Sequence, residues 1–147
     1  MLLFLDIDGV LHPHLNYRQD LLFSSMPLLE DVLRAQPRVE VVISSTWRTT
    51  RTVQELQSLF SVDIAPRIVG KTPHWQDLQD ETAYGTYVRQ AEIEAWLRSA
   101  GRPWESWVAL DDQASLYRPF CRNLVLTDSE TGLTIENCVR LAERLID

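Results

Sequence analysis

Short apolar runs alternate with helical patterns along the whole chain, and this alternation constrains the fold more than any other feature. Runs too short for helices, such as the stretch LLFL, are typical of strands that are buried on both faces. Strands that alternate with helices favour a parallel sheet with helices on both faces. We therefore predict an α/β fold, a Rossmann-like three-layer sandwich with a central parallel sheet. The predicted strands are 2–5, 39–43, a short strand within 62–69 that Pro66 interrupts, 107–110 and 124–126.

Four segments between or after these strands carry helix signals. Residues 25–27 open the first helix, and Thr52 and Glu55 have the spacing of a capping box before the second. The third helix is predicted over 89–100, where Gly101 is a natural C-terminal stop. The apolar positions of the last helix are predicted to be Ile135, Cys138, Val139, Ala142, Leu145 and Ile146.

The composition is that of an ordinary globular protein, with 147 residues, 45% hydrophobic and 24% charged. This length predicts one domain over residues 1–147. The net charge of -7 argues against a general attraction to nucleic acid. Of the 14 cationic residues, only Lys71 is a lysine, and the excess of arginine suits bidentate recognition of phosphate or carboxylate.

The cysteines and the N-terminal segment indicate the cellular compartment. Cys121 and Cys138 lack metal-ligand spacing, so we interpret both as reduced structural residues of a cytoplasmic protein. The stretch 1–11 has no basic region and carries two acids, which is not typical of a signal peptide. No apolar run approaches the ~20 residues that span a bilayer. We expect no membrane association and no obligate protein partner.

Polar side chains follow three of the predicted strands. Asp6 and Asp8 follow the first strand, the serine pair 44–45 follows the second, and the aspartate pair 111–112 follows the fourth. In open parallel sheets, ligands bind beyond the carboxyl ends of the strands. We therefore predict that these residues meet in one crevice.

Four carboxylates in one crevice repel one another, so either their pKa values rise or a divalent cation neutralises them. Oxygen ligands favour a hard ion, and Mg2+ is the usual ion where phosphate is the substrate. His12, His14 and His74 have no set of partners that would favour zinc. The sequence therefore predicts a magnesium site.

The segments DIDGVL at 6–11, VVISSTWR at 41–48 and LDD at 110–112 resemble, in this order, motifs of the haloacid dehalogenase-like (HAD) superfamily, specifically its DxD phosphatases. The resemblance covers essentially the whole chain. The strings SSTWR, RQAEIEAWL and WVALDD together resemble the small phosphatase-like domains found alone or fused to RNA-repair proteins. This resemblance implies a HAD-like fold and a hydrolase that cleaves phosphoric monoesters.

The resemblance also implies a two-step mechanism. Asp6 would attack phosphorus to form an aspartyl-phosphate, while Asp8 would protonate the leaving oxygen and then activate water. Gly9 would permit the backbone to turn after the strand. Asp112 would bind Mg2+ beside Asp6 and the backbone carbonyl of Asp8, and Asp111 would support this metal site.

Other residues are implied as ligands of the phosphoryl group. Ser45 would donate a hydrogen bond to a phosphoryl oxygen, with Ser44 as the alternative if the strand is one residue shorter. Gly9 and Thr46 are expected to line the same subsite.

The family places a cation just before the helix that precedes the fourth strand, and Arg89 stands at that position. Lys71, in the string VGKTP, is the competing candidate. We favour Arg89 as the group that neutralises the phosphoryl charge.

Several residues near the motifs have weaker signals. Trp47 could line the pocket rim or belong to the core, and Arg48 is interpreted as an ordinary surface residue. His12 and His14 are interpreted as solvated loop residues, and the pair 127–128 as residues that help to shape the crevice. Three tryptophans are expected in or near the core: Trp96, Trp104 and Trp107.

The lengths of the segments between the motifs predict that no cap domain is present. Residues 9–43 accommodate a loop, one helix and a strand, and only 71–88 remain as a small insertion in the next interval. An open site suits a bulky phosphorylated substrate such as a nucleic-acid end, and it also admits small molecules. The expected function is that of a Mg2+-dependent phosphohydrolase. The alternative is a catalytically inactive HAD-like module that binds phosphate or another protein.

Overall fold

Five parallel strands form the centre of the computed structural model, which describes residues 1–14, 18–78 and 87–146. Their order across the sheet is β3-β2-β1-β4-β5. The first and last strands have the predicted bounds, and the third begins only after Pro66, which lies in the turn Ala65–Arg67. The strands are β1 (Leu2–Leu5), β2 (Glu40–Ile43), β3 (Ile68–Lys71), β4 (Trp107–Asp111) and β5 (Leu124–Leu126).

In the described residues, four α-helices accompany the sheet, as predicted. The second begins with the predicted capping box, in which Glu55 N–H donates to Thr52 Oγ1 and Thr52 N–H donates to Glu55 Oε1, both at 3.2 Å. The fourth begins with a second capping box, formed by Thr134 and Asn137, that the sequence did not reveal. The helices are α1 (Met26–Ala35), α2 (Val53–Gln57), α3 (Val88–Ser99) and α4 (Ile135–Arg144).

The alternating side chains of β1 define two cores, one on each face of the sheet. Leu3 and Leu5 pack in the core that contains the buried residues of α1, α2 and α4. Leu2 and Phe4 pack on the opposite face, against residues of α3. The predicted three-layer sandwich is therefore confirmed. The connections between the strands, in the described residues, contain helices and short 3-10 turns without an additional domain, as expected for a capless fold.

The apolar residues of the last helix are not all buried. On α4, Ile135 and Val139 are 71% and 54% exposed, and Ile146, which follows the end of α4, is 64% exposed, because only a narrow arc of the helix faces the sheet. Leu141, which the prediction omitted, is fully buried in that arc. Trp104 is also exposed, since it lies in the turn between α3 and β4 rather than on either element.

The other two tryptophans pack as expected. Trp96 and Trp107 both meet Phe4 edge to face, at 5.7 Å and 5.8 Å between ring centroids. Of the predicted loop 71–88, the described part ends β3 and forms the turn Trp75–Asp77, while 79–86 lie outside the described residues. No helix in the described part of the chain is long and apolar enough to cross a membrane.

The strand order places a topological switch point between β1 and β4. The chain leaves β1 toward β2 and β3, but β4 lies on the other side of β1 and continues to β5. Such a reversal opens a crevice at the carboxyl ends of the two adjacent strands. Leu5 pairs with Ile43 and with Leu110, so the residues that follow them are brought to one edge of the sheet.

Candidate active site

Three carboxylates converge at the switch point, where β1 and β4 end. Oxygen atoms of Asp6, Asp111 and Asp112 all lie within 4.8 Å of one another. Burial raises the pKa of Asp6 well above its usual value, and the nearby charge of Asp111 raises it further. Burial likewise raises the pKa of Asp111, although Arg89 opposes this effect. The buried negative charge is therefore incompletely compensated by the side chains around it.

The Asp112 carboxylate packs against Gly9, where any residue with a Cβ would collide with it. Gly9 has a φ of 77°, and a Cβ built there would lie 2.1 Å from Asp112 Oδ2. Asp112 Oδ1 is buried, and no hydrogen-bond partner for it occurs within the described residues. The carbonyl of Gly9 accepts a 2.7 Å hydrogen bond from Thr127 Oγ1, which fixes the loop against β5. An unpartnered oxygen within a cluster of buried carboxylates fits a hard divalent cation.

Asp111, by contrast, is held by protein donors. Its Oδ1 accepts from Gln113 N–H and its Oδ2 from the Tyr117 hydroxyl, both at 3.0 Å. Tyr117 is buried, and burial followed by the charge of Asp111 raises its pKa well above the usual value, so the hydroxyl stays a donor. Both oxygens of Asp111 therefore have donors within the protein, whereas Asp112 Oδ1 has none among the described residues.

Arg89 lies in this cluster. Its Nε is 3.5 Å from Asp111 Oδ2, and its Nη1 donates to the carbonyl of Ser44 and, at 3.1 Å, to Glu92 Oε1. Burial acts against the charge of Arg89, but Asp111, Asp6 and Glu92 outweigh it and hold the pKa of Arg89 above its usual value. The structure therefore brings a permanently charged guanidinium to the carboxylates.

Lys71, the competing candidate, makes its hydrogen bonds to backbone carbonyls. Its Nζ donates to the carbonyls of Arg48 and Arg51, at 3.0 Å and 2.9 Å, and so ties the end of β3 to the turn Thr46–Thr49. Its side chain lies on β3, which β2 separates from β1. Among the described residues, Lys71 donates to these carbonyls and forms no ion pair with Asp6, Asp111 or Asp112.

The two serines after β2 have different environments. Ser44 follows Ile43, which pairs with Leu5, so Ser44 occupies the same register position as Asp6. The Ser44 hydroxyl is buried and has no hydrogen-bond partner within the described ranges. The Ser45 hydroxyl accepts from Trp47 N–H at 3.3 Å and caps the turn Thr46–Thr49, where Thr46 itself is exposed.

Arg48 is not a surface residue, contrary to expectation, since its side chain is 2% exposed. Its guanidinium donates to four backbone carbonyls and to Glu92 Oε2, the latter at 2.5 Å. These carbonyls end β2 and β3, so a local sequence pattern could not indicate that the side chain turns inward. The accepting carbonyls belong to Ser44, Ser45, Thr72 and Pro73.

Asp8 lies in the loop that leaves β1, and His12 contacts it directly. His12 Nε2 is 2.7 Å from Asp8 Oδ1, and Trp47 Nε1 donates to Asp8 Oδ2 at 3.0 Å. His12 is 5% exposed, so its interpretation as a solvated residue is wrong, whereas His14 is exposed as expected. The i, i+4 spacing of Asp8 and His12 is the one signal in the sequence that could have suggested this contact.

The parallel sheet and the carboxylates at its switch point define the class of the chain, a HAD-like α/β domain. The family model described as the HAD domain in Swiss Army Knife RNA repair proteins matches residues 2–138, and the chain belongs to this family. No curated protein and no solved structure gives a significant match.

We expect the metal-free protein to lose stability as the pH rises, because Asp6 and Asp111 have raised pKa values. Above about pH 4, Asp6 and Asp111 are ionised in the unfolded chain but still protonated in the folded protein. The folded state therefore binds more protons, and its stability falls as the pH rises until both groups ionise in the folded protein as well. Thermal melting in EDTA between pH 5 and 8 measures this trend. The variant in which both residues are asparagine provides the control, with a flatter profile.

Adding Mg2+ should reverse the trend, since cation binding requires ionised carboxylates. At a concentration of 100 times Kd, binding stabilises the fold by about 2.7 kcal/mol and raises Tm by roughly 5–10 °C. The same Tm with Mg2+ and with EDTA at pH 8 would contradict a metal site at this cluster.

Proposed function

We propose that this chain is a Mg2+-dependent phosphohydrolase that acts through an aspartyl-phosphate on Asp6. The observation that supports this most strongly is the set of residues at the switch point. A buried carboxylate, Asp6, shares its register position with Ser44 and Asp111, and the charged Arg89 lies against them. Membership in the HAD family supports phosphatase-type chemistry for such a site.

In the first step, an oxygen of Asp6 attacks phosphorus, and the bond between phosphorus and the ester oxygen breaks. Asp8 gives its proton to the departing oxygen, which leaves as an alcohol. In the second step, Asp8 takes a proton from water as the water oxygen attacks phosphorus, and the bond to Asp6 breaks. The products are inorganic phosphate and the original carboxylate of Asp6.

Asp6 and Asp112 would hold Mg2+, together with the backbone carbonyl of Asp8, and Asp111 would support this site. When bound, the ion would neutralise the carboxylates and stabilise negative charge on the phosphoryl oxygens.

Arg89 would supply the remaining positive charge for the phosphoryl group. Its buried Nε forms an ion pair with Asp111 at 3.5 Å but makes no hydrogen bond with the described residues, so its N–H could be donated to a phosphoryl oxygen. The ammonium of Lys71 instead already donates to two backbone carbonyls. These contacts support the preference for Arg89 over Lys71.

We further propose that Ser44, rather than Ser45, donates to a phosphoryl oxygen. Ser44→Ala should lower kcat/KM by about 10–100-fold, since one hydrogen bond to a charged group contributes about 1.5–3 kcal/mol. Ser45→Ala should change kcat/KM by less than about fivefold and lower Tm, because its main loss is a turn cap of about 1 kcal/mol. Kinetics and melting of both variants test this assignment, and a larger kinetic loss in Ser45→Ala would reverse it.

A nucleic-acid end is the substrate class that we propose. The family is described by its occurrence in RNA repair proteins, and the described connections contain no cap domain to enclose a small molecule. The assay compares p-nitrophenyl phosphate, nucleotides, sugar phosphates and 5'- or 3'-phosphorylated oligonucleotides, with Mg2+ and with EDTA. Fastest turnover of an oligonucleotide end supports the proposal. No turnover of any substrate would favour the inactive phosphate-binding module instead.

A further inference from the structure

Both carboxylate oxygens of Asp8 accept hydrogen bonds from side chains of the protein. His12 contacts Oδ1 through Nε2 at 2.7 Å, and the Trp47 indole N–H donates to Oδ2 at 3.0 Å. The Asp8 side chain nevertheless remains 34% exposed, whereas that of His12 is 7% exposed. The carboxylate is therefore held by two donors of the protein and is still accessible to solvent.

The contacts of His12 determine which of its nitrogens carries the proton. Phe23 N–H points to His12 Nδ1 at 3.3 Å, so Nδ1 is the acceptor and the proton resides on Nε2. His12 is consequently the donor to Asp8. Phe23 adopts a φ of 55°, a left-handed conformation that is unusual for a bulky residue and tends to occur at functional sites.

Aromatic packing restricts the movement of both donors. Phe23 meets His12 edge to face at 5.2 Å and meets Trp47 edge to face at 5.3 Å. The Arg51 guanidinium lies over the Trp47 ring, 4.1 Å from its centre, as a cation–π pair. Phe23 therefore packs against both rings and Arg51 packs on the indole, and these contacts keep the two N–H groups directed at Asp8.

We propose that His12 and Trp47 are positioning residues that hold the Asp8 carboxyl for proton transfer, an inference that rests on the proposed function. Each Asp8 oxygen keeps a second lone pair while it accepts one hydrogen bond. One of these lone pairs carries the proton that passes to the leaving oxygen and is later regained from water. The two donors restrict rotation of the carboxyl, so this lone pair stays aligned with the reacting oxygen.

Pre-steady-state hydrolysis of p-nitrophenyl phosphate separates the two steps. Nitrophenolate leaves without a proton, so its release in the first turnover needs little help from Asp8, whereas hydrolysis of the phospho-enzyme needs Asp8 as a base. In His12→Ala we expect a burst of about one nitrophenolate per enzyme, with a rate within about threefold of the parent. The steady-state rate after the burst should fall by about 10–100-fold.

Conservative variants distinguish positioning from support of the fold. His12→Gln retains an N–H donor near the position of Nε2 and should restore most of the steady-state rate, while Trp47→Phe retains the ring and should lose part of it. Asp8→Asn should show the same burst with a steady-state loss of about 100-fold or more. His14→Ala, at the exposed neighbouring histidine, should behave as the parent.

Three outcomes would overturn the inference. His12→Ala and Trp47→Phe could both keep the parental steady-state rate, or the burst and steady-state rates could fall together, or His12→Gln could be as slow as His12→Ala. In each case the bursts of the parent and of Asp8→Asn would still support an aspartyl-phosphate mechanism, so only the positioning role of His12 and Trp47 would be contradicted. No turnover by the parent would instead overturn the proposed function and this inference with it.

Discussion

Asp6→Asn is expected to lose kcat/KM by roughly 10^4-fold or more, while the metal-free protein becomes more stable. Asparagine preserves the volume of the side chain but removes the nucleophilic carboxylate. The pKa of Asp6 is raised by burial and then by Asp111, so ionised Asp6 destabilises the fold near neutral pH. Removing this charge should raise Tm in EDTA. Turnover of p-nitrophenyl phosphate with Mg2+ and thermal melting in EDTA measure the two effects.

The opposite directions of these changes make the prediction specific. A variant that loses activity by misfolding would lose stability too, whereas Asp6→Asn should lose only activity. Asp31→Asn is the matched control, because the Asp31 side chain is 76% exposed on α1 and pairs with Arg34. It should leave turnover unchanged. Turnover of Asp6→Asn within about tenfold of the parent would mean that another group attacks phosphorus.

Much of the fold could be predicted because each element carries its own local signal. Apolar runs and capping residues identify strands and helices without information about distant contacts, as at Leu2–Leu5 and at the Thr52 capping box. The carboxylate cluster was also predictable, since parallel strands bring their carboxyl ends to one edge of the sheet. Asp6, Asp111 and Asp112 meet there as a consequence of strand order alone.

The contacts that the sequence did not predict are made by side chains of loops, whose direction has no local sequence signal. Arg48 and His12 both follow strand ends, where polar residues are usually solvated, yet both turn inward to partners. Tyr117 reaches Asp111 only because the turn Ala114–Leu116 folds back over the end of β4. The choice between Ser44 and Ser45 likewise depends on strand register, which a pattern of apolar residues defines only to within a residue.

Glu92→Ala is expected to produce the largest loss of stability. Glu92 is 2% exposed and accepts hydrogen bonds from Arg48 at 2.5 Å and from Arg89 at 3.1 Å. Without it, two buried guanidinium groups lose their shared counter-charge, and removing one partner of a buried pair costs about 3–5 kcal/mol. The burial of Arg48 leaves its charge poorly solvated and lowers its pKa. Thermal melting should therefore show Tm lower by roughly 6–20 °C.

Two further variants test whether the loss of the Glu92 charge causes this loss of stability. Glu92→Gln keeps an oxygen acceptor for Arg48 but carries no charge, so its Tm should lie between those of the parent and Glu92→Ala. Glu94→Ala, two residues along α3, removes a partly exposed carboxylate whose contact is a 3.3 Å hydrogen bond from Gln90. It should cost no more than about 0.5 kcal/mol. If Glu92→Ala melts as Glu94→Ala does, the backbone carbonyls around Arg48 suffice to compensate its charge, and the ion pair with Glu92 does not stabilise the loops that carry Ser44 and Arg89.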